Sequence, residues 1–373
     1  MTPERERLAK SYETLQNLFF LFDQAVLALF LLILLIGGGE SLSLRLWGKV
    51  DALCGNFFLA TPLYLLLIQI AYLILTAPYD YVKDFRVEKK FGLSEQTFGG
   101  WLRDQAKSAV LSLLLIVSAL FFCYACMRYL GPYWFLAAAA GWIVLQVVLG
   151  MLFPVLILPL FYKSEEITEH PCKERLLALL QGAGLKVTGL YRLDLSEKTK
   201  KANAMLCGLG ATRRVMLSDA LLAYPDDEII AIMAHEVGHY KRKHIIKLAA
   251  LHTALILIGL FILSRVLAWY AARYGLDYAA AGTYPVFLGV FSVWQLITMP
   301  LTNWFSRRCE KEADRFALES TGLGSAFASA LLRLAEGNLA PLEVPAFIEF
   351  FLYSHPAVAK RVAAAENWNK KNE

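Results

Sequence analysis

Six apolar blocks, near residues 18–36, 57–77, 109–130, 133–160, 245–269 and 284–305, constrain this chain more than any other feature. Each approaches or exceeds the roughly 20 residues that a helix needs to cross hydrocarbon. Hydrophobic residues make up 57% of the chain and charged residues 18%, against about 45–50% and about 25% in ordinary soluble domains. A chain of 373 residues could bury a large core without that excess. The excess is gathered in blocks, which marks membrane spans. The fourth block carries Pro154 and Pro159 and is expected to kink or end before Phe161.

Lysine and arginine placement sets the expected orientation. The connection at 78–107 carries Lys83, Arg86, Lys89, Lys90, Arg103 and Lys107, and 161–244 is also rich in both residues. By contrast 39–55 holds only Arg45 and Lys49, 131–132 neither residue, and 270–283 only Arg273. Six spans with both termini cytoplasmic put every basic connection on one side. No small-residue cleavage site follows the first block, so it reads as a retained helix rather than a signal peptide. No helix is expected between residues 38 and 56. Cys123 and Cys126 form a CxxC in the middle of a span, where they read as small buried hydrophobes and not as part of a disulfide framework. The net charge of +5, without a basic run interleaved with aromatics, argues against nucleic acid. The tail KKNE fits a cytoplasmic dilysine retrieval pattern, and a solvated end is the simpler alternative.

Between the fourth and fifth blocks lies the one long polar region, 161–226. Its periodicity predicts a helix over 173–184 and strands over 190–195 and 204–217, the latter folded as a hairpin around 208–212. The expected organisation is an N-terminal membrane region (1–160) with four spans and a cytoplasmic loop at 78–107. A polar region with strands and a motif helix (161–244), a transmembrane hairpin (245–305) and a C-terminal region (306–373) follow. The fold class is mainly α: a polytopic membrane protein of about six transmembrane helices, with a cytoplasmic-side domain containing a small β-sheet.

Residues 235–239 read HEVGH. On a helix His235 and His239 lie one turn apart on one face, which lets two imidazoles reach one tetrahedral Zn²⁺. Glu236 points about 100° round the helix, placed to act as a general base toward a bound water. By chance the pattern occurs in roughly one chain in a hundred at ordinary composition, so the third ligand matters. Asp226-Asp227-Glu228 reads as negative charge at a helix N-terminus. SRRCEKEADRFA (306–317) places Glu310 and Asp314 one turn apart, so one carboxylate can bind metal while the other orients a histidine. A solvated charged face at a membrane exit is the bland alternative for that helix alone. Glu312 points roughly opposite Glu310. The HEVGH helix is expected to continue without a break into the fifth span, with YKRKH at the interface. His252 and Asp23 lie inside apolar runs, where ionisable residues usually face a bundle interior or wet cavity.

HEVGHYKRKH together with SRRCEKEADRFA resembles the type I CAAX prenyl endopeptidase family, multi-span zinc membrane proteases related to the HtpX-like proteases. RVEKKFGLSEQTFGGWLRDQAK (86–107), KKANAMLCGLGATRRVMLSDALL (200–222) and YSHPAVAKR (353–361) extend the likeness in the family's order. The resemblance implies a gluzincin-like zinc protease domain with one Zn²⁺ per chain held by His235, His239 and Glu310. It implies Glu236 as general base, Asp314 supporting the zinc shell, and His355 stabilising the oxyanion. Asn203 and Arg361 fall to substrate binding, and the strand at 202–208 could hold an extended peptide by β-augmentation. Eukaryotic members are similar in having seven spans and a large intramembrane chamber, so a six-span chain bears on substrate size. The implied activity is endopeptidase cleavage of membrane-associated peptides or proteins near the cytoplasmic face, with CAAX-type, prenylated C-termini foremost. A quality-control protease of HtpX-like type is the near alternative. A silent scaffold or transporter is disfavoured because the nucleophile-and-ligand set is complete. The lipid bilayer is the one further partner implied, and nothing in the chain speaks to oligomeric state. The compact chain points to a bacterial inner membrane, or to the endoplasmic reticulum if eukaryotic.

Overall fold

A computed structural model describes the backbone of residues 1–372 and the side chains through Lys370, so the end of KKNE lies outside the described residues. Helix α1 (Pro3–Leu35) starts where the Thr2 side chain accepts from Arg5 N. Helix α2 (Leu42–Cys54) follows, then α3 (Phe57–Asp80), α4 (Phe98–Leu130) and α5 (Trp134–Leu152). After strand β1 (Ser164–Glu166) come α6 (Lys173–Gly182) and strands β2 (Leu190–Leu193), β3 (Ala204–Cys207) and β4 (Arg214–Ser218). Helices α7 (Asp226–Lys241), α8 (His244–Tyr274), α9 (Tyr284–Thr321), α10 (Gly324–Asn338), α11 (Ala346–Leu352) and α12 (Val358–Asn372) complete the chain.

Five helical stretches among the described residues are long and apolar enough to cross a membrane, one fewer than expected. The expected third and fourth spans form one stretch, Phe98–Phe161, because the connection Gly131–Tyr133 is itself a single 3₁₀ turn. Helices α4 and α5 pack on each other, so the stretch doubles back. Around Pro154 its second limb widens into a π turn, Phe153–Ile157, before ending at Phe161. Outward side chains such as Val110 (69% exposed), Leu114 (64%) and Ile297 (65%) give these long helices an apolar surface suited to a bilayer.

A helix not expected from the sequence occupies part of 38–56. Helix α2 is capped by Ser41, whose hydroxyl accepts from Leu44 N, and ends at Gly55 with φ 60°. Its 13 residues cover about 20 Å, short of the ~30 Å hydrocarbon core. It is tied inward where Ser43 Oγ lies 2.6 Å from both Tyr64 Oη and the Gly282 carbonyl. Asp23, in the first apolar run, pairs with Lys83 at 2.8 Å. A charge in that setting persists because it is partnered.

The four strands form one mixed sheet in the order β1-β2-β4-β3, with β2 and β4 parallel and the other pairs antiparallel. The hairpin around 208–212 is as expected, and β3 is a sheet edge. Gly208 has φ 87°, and a Cβ there would collide with the Thr212 carbonyl. Under the sheet, Leu176, Val215, Leu217, Ile229, Met233 and Val237 form the polar region's core. The start of α1 is fastened to this end of the molecule. Arg5 donates to the Glu336 carbonyl at 3.0 and 3.1 Å, and Tyr353 bonds Glu13.

The HEVGH helix does not run on into the span. Helix α7 ends at Lys241 and α8 begins at His244, with Lys243 between them at φ 56°, ψ 35°. That left-handed conformation is one a lysine seldom adopts, and it redirects the chain.

Candidate active site

Helix α7 is made by its ends and its buried face. Pro225 precedes it, and Asp226, Asp227 and Glu228 fill the first turn, where negative charge meets the positive end of the helix dipole. Glu228 is buried and also joins two helices, since it accepts from Ser329 Oγ at 2.7 Å and Arg333 Nε at 2.9 Å and so fixes α7 to α10. The far end packs against α9 at Gly238, where an added Cβ would lie 3.1 Å from the Ala313 backbone and from Phe316 Cβ. Gly238→Ala is therefore expected to destabilise the detergent-solubilised protein by about 1–3 kcal/mol, read as a lowered thermal midpoint. Unchanged stability would mean that the two helices need not approach so closely.

This approach places two one-turn pairs opposite each other, His235 and His239 on α7 and Glu310 and Asp314 on α9. His235 Nε2 and His239 Nε2 lie 3.1 Å apart, and each is 3.3 Å from an oxygen of Glu310. On the far side of the ring, His235 Nδ1 lies 2.8 Å from Asp314 Oδ1. Asp314 in turn accepts a forked pair from Arg361, at 2.6 and 2.9 Å. His355 Nε2 approaches Glu310 Oε1 at 3.4 Å from the exposed side, with its Nδ1 2.9 Å from Ser354 Oγ. Burial is the largest influence on Glu236 and pushes its carboxyl above the usual range, against the pull of His235 and His239. Burial works against a charged His235, yet Asp314 and Glu310 outweigh it and lift its pKa to about 9.

The donor set fits a metal ion. Ligand atoms of His235, His239 and Glu310 lie within 4.8 Å of one another. Glu310 Oε2 is buried without a hydrogen-bond partner, with His235 Nε2 at 3.3 Å and the Arg361 guanidinium no closer than 3.9 Å, so a metal ion would give it the direct partner that burial demands. Two imidazole nitrogens and one carboxylate are the donors of a catalytic zinc that keeps a fourth position open. A second donor group, His170, Cys172 and Asp226, clusters where the start of α6 meets the start of α7. There His170 Nδ1 lies 2.9 Å from Cys172 Sγ and its Nε2 faces the Leu222 carbonyl at 3.3 Å.

The remaining expected residues are placed as follows. Asn203 is pinned by its backbone to Ser218, with N–H to Oγ and carbonyl to N–H both at 2.9 Å, and its side chain is exposed at the start of the edge strand. Helix α7 packs beside β3. Arg361, grouped with Asn203 for substrate binding, is nearly buried and turned to Asp314, behind His235. Three further residues, Glu312, Arg307 and Glu349, play parts that the sequence does not reveal, and His244, expected at the membrane interface rather than at the metal, is fully buried against His239. His244 Nδ1 lies 3.0 Å from His239 Nδ1, and Glu312 Oε2 lies 3.1 Å from His244 Nε2. The His355 loop is braced by Arg307, which donates to the carbonyls of Glu349 and Tyr353, and by Glu349, which accepts from Ala357 N and Lys360. Carbonyl and loop braces leave no residue pattern to find.

Glu349 carries a pH dependence. Burial alone would raise its pKa, but Lys360 and the Ala357 N–H hold its carboxyl below the usual range. Its contribution is present above the unfolded-state pKa of about 4.3 and is lost as pH falls through the lower folded value. Glu349→Gln is thus expected to lower stability by about 1–3 kcal/mol near neutral pH, the gap to wild type closing on acidification. A gap independent of pH would contradict this role.

Comparison with known proteins agrees with the geometry. A family profile described as Peptidase family M48 matches residues 166–369, and one described as CAAX prenyl protease N-terminal, five membrane helices, matches 1–163. The chain is 28% identical to a Bacillus subtilis protein named uncharacterized metalloprotease YhfN, over 98% of this chain and 86% of that one. It is 29% identical to an Arabidopsis thaliana CAAX prenyl protease 1 homolog, covering 79% of this chain and 71% of the relative. The crystal structure of S. mikatae Ste24p superposes with a TM-score of 0.84 at 20% identity, covering 98% of this chain and 89% of that one. The additional short helix α2 falls within the segment that the second profile describes as having five membrane helices. Matched along nearly its whole length, the chain belongs to peptidase family M48 and is an integral-membrane metalloendopeptidase.

Proposed function

We propose that this metalloendopeptidase holds one Zn²⁺ on His235, His239 and Glu310 and cuts lipid-bearing C-terminal peptides of the CAAX type at the cytoplasmic membrane face. The observation that carries the proposal is the convergence of two imidazoles and a buried carboxylate oxygen without a hydrogen-bond partner, just beyond the apolar part of a membrane helix, with Glu236 close enough to feel both imidazoles. His235, His239 and Glu310 would hold the ion, which when bound would supply Lewis acidity and make the attacking water more acidic. Glu236 takes a proton from the attacking water and delivers it to the leaving amine. His355 stands on the exposed side of Glu310, where it donates toward the developing oxyanion. Asp314 accepts from His235 Nδ1–H and so keeps the Nε2 lone pair directed inward, while Arg361 braces Asp314. Strand β3, an open sheet edge that begins beside Asn203, offers main-chain pairing to an extended substrate.

The sidedness rests on the basic connections 78–107 and 161–244, which put both termini in the cytoplasm. The match to a bacterial relative over nearly the whole chain supports a bacterial inner membrane. The deciding experiment compares cleavage of one CAAX peptide, with and without its isoprenoid, alongside an unfolded membrane protein. The isoprenoid is expected to raise kcat/KM by roughly tenfold or more, through remote binding energy. Preference for the unfolded protein would overturn the substrate assignment and favour quality-control proteolysis.

A further inference from the structure

Among the described residues His239 has no carboxylate beside its Nδ1, unlike His235, and a second histidine stands in its place. We propose that Glu312 and His244, brought to the site by the bend at Lys243, set the tautomer and orientation of His239. The inference rests on His239 being a metal ligand.

Two Nδ1 atoms 3.0 Å apart, those of His239 and His244, require one proton between them. The other end of His244 decides which ring carries it. His244 Nε2 faces the Glu312 carboxylate at 3.1 Å, and a carboxylate only accepts. His244 therefore carries its proton on Nε2 and presents a bare Nδ1. The proton between the rings belongs to His239 Nδ1, which leaves the His239 Nε2 lone pair facing Glu310 and His235. The opposite tautomer would place a proton where the metal must bind. His244 is fully buried, and Lys247 and Arg308, each 3.5 Å from Glu312, hold the carboxylate in place. One metal-facing histidine is thus oriented by a carboxylate directly, and the other by a carboxylate acting through a second histidine.

The bend makes this possible. On an unbroken helix the fifth residue after His239 would lie about 140° round the axis, too far for ring-to-ring contact. The left-handed turn at Lys243 starts a new helix at His244 and swings its ring back onto His239. Position 243 therefore has a stated conformational demand. Glycine meets it easily and a β-branched residue does not.

The test uses the full chain in detergent, with Zn²⁺ affinity measured by chelator competition and the visible spectrum of the Co²⁺-substituted protein as a geometric signature. His244→Ala and Glu312→Ala are expected to weaken zinc binding by about ten- to hundredfold and to alter the cobalt spectrum. Glu312→Gln, which keeps an acceptor, should restore much of the loss. Lys243→Gly should match wild type, while Lys243→Val should behave as His244→Ala. If His244→Ala does not fold, Glu312→Ala at a partly exposed carboxylate carries the test. Wild-type zinc affinity and cobalt spectrum in both alanine variants would overturn the proposal. A wild-type chain that binds no stoichiometric zinc would instead bring down the ligand assignment on which it stands.

Discussion

Glu236→Gln is expected to lower peptide cleavage by about 10²–10⁴-fold while one metal ion per chain stays bound. Glutamine keeps the size and one acceptor of the side chain but cannot take up a proton. The loss should therefore fall on kcat, with KM little changed, because the substrate contacts proposed along β3 and at Asn203 are untouched. The position suits a base: burial raises the proton affinity of the carboxyl, which favours taking the proton from the attacking water. Steady-state cleavage of a quenched peptide, paired with elemental analysis of the same sample, separates the two effects. Cleavage at the wild-type rate by the metal-loaded variant would remove Glu236 from the mechanism.

Glu310→Ala should act one step earlier, by removing metal from the site. It deletes one of three donors and leaves the two Nε2 atoms of His235 and His239 facing each other at 3.1 Å without a shared anion. His355 and Arg361 lose the same partner. Bound metal is expected to fall from one equivalent to near zero after dialysis, and cleavage to fall with it by at least about 10³-fold. Helix α9 should survive, since Ala313, Ala317 and Leu318 keep its packing. Retention of a full equivalent of tightly held metal would place the metal elsewhere, with the His170–Cys172–Asp226 group the first place to look.

Much of this arrangement is legible in the residues because it follows helical periodicity. One-turn spacing puts His235 with His239 and Glu310 with Asp314, and the strand-turn-strand pattern at 204–217 makes the edge hairpin. What the sequence hides has physical reasons. The break before His244 falls in Arg242-Lys243, with no glycine or proline to mark it, so the left-handed turn is imposed by tertiary packing. Helix α2 is too short and too charged, through Arg45, Lys49 and Asp51, to stand out by hydropathy. Gly131 and Pro132 do mark where α4 ends and the chain doubles back, and what they do not report is that the turn itself is a 3₁₀ turn that joins the two limbs into one helical stretch. The pairing of Arg361 with Asp314 spans 47 residues, a distance no local pattern reports. The spacing of His244 from His239 suits no shared helix face, and only the bend explains its place.

The most direct test is X-ray absorption at the zinc edge of the purified wild-type protein. A low-coordinate site is expected, with two imidazole nitrogens at about 2.0–2.1 Å, the rest oxygen, and no sulfur. A sulfur scatterer at about 2.3 Å, or loss of neither imidazole in a His235→Ala, His239→Ala double variant, would contradict zinc held by His235, His239 and Glu310.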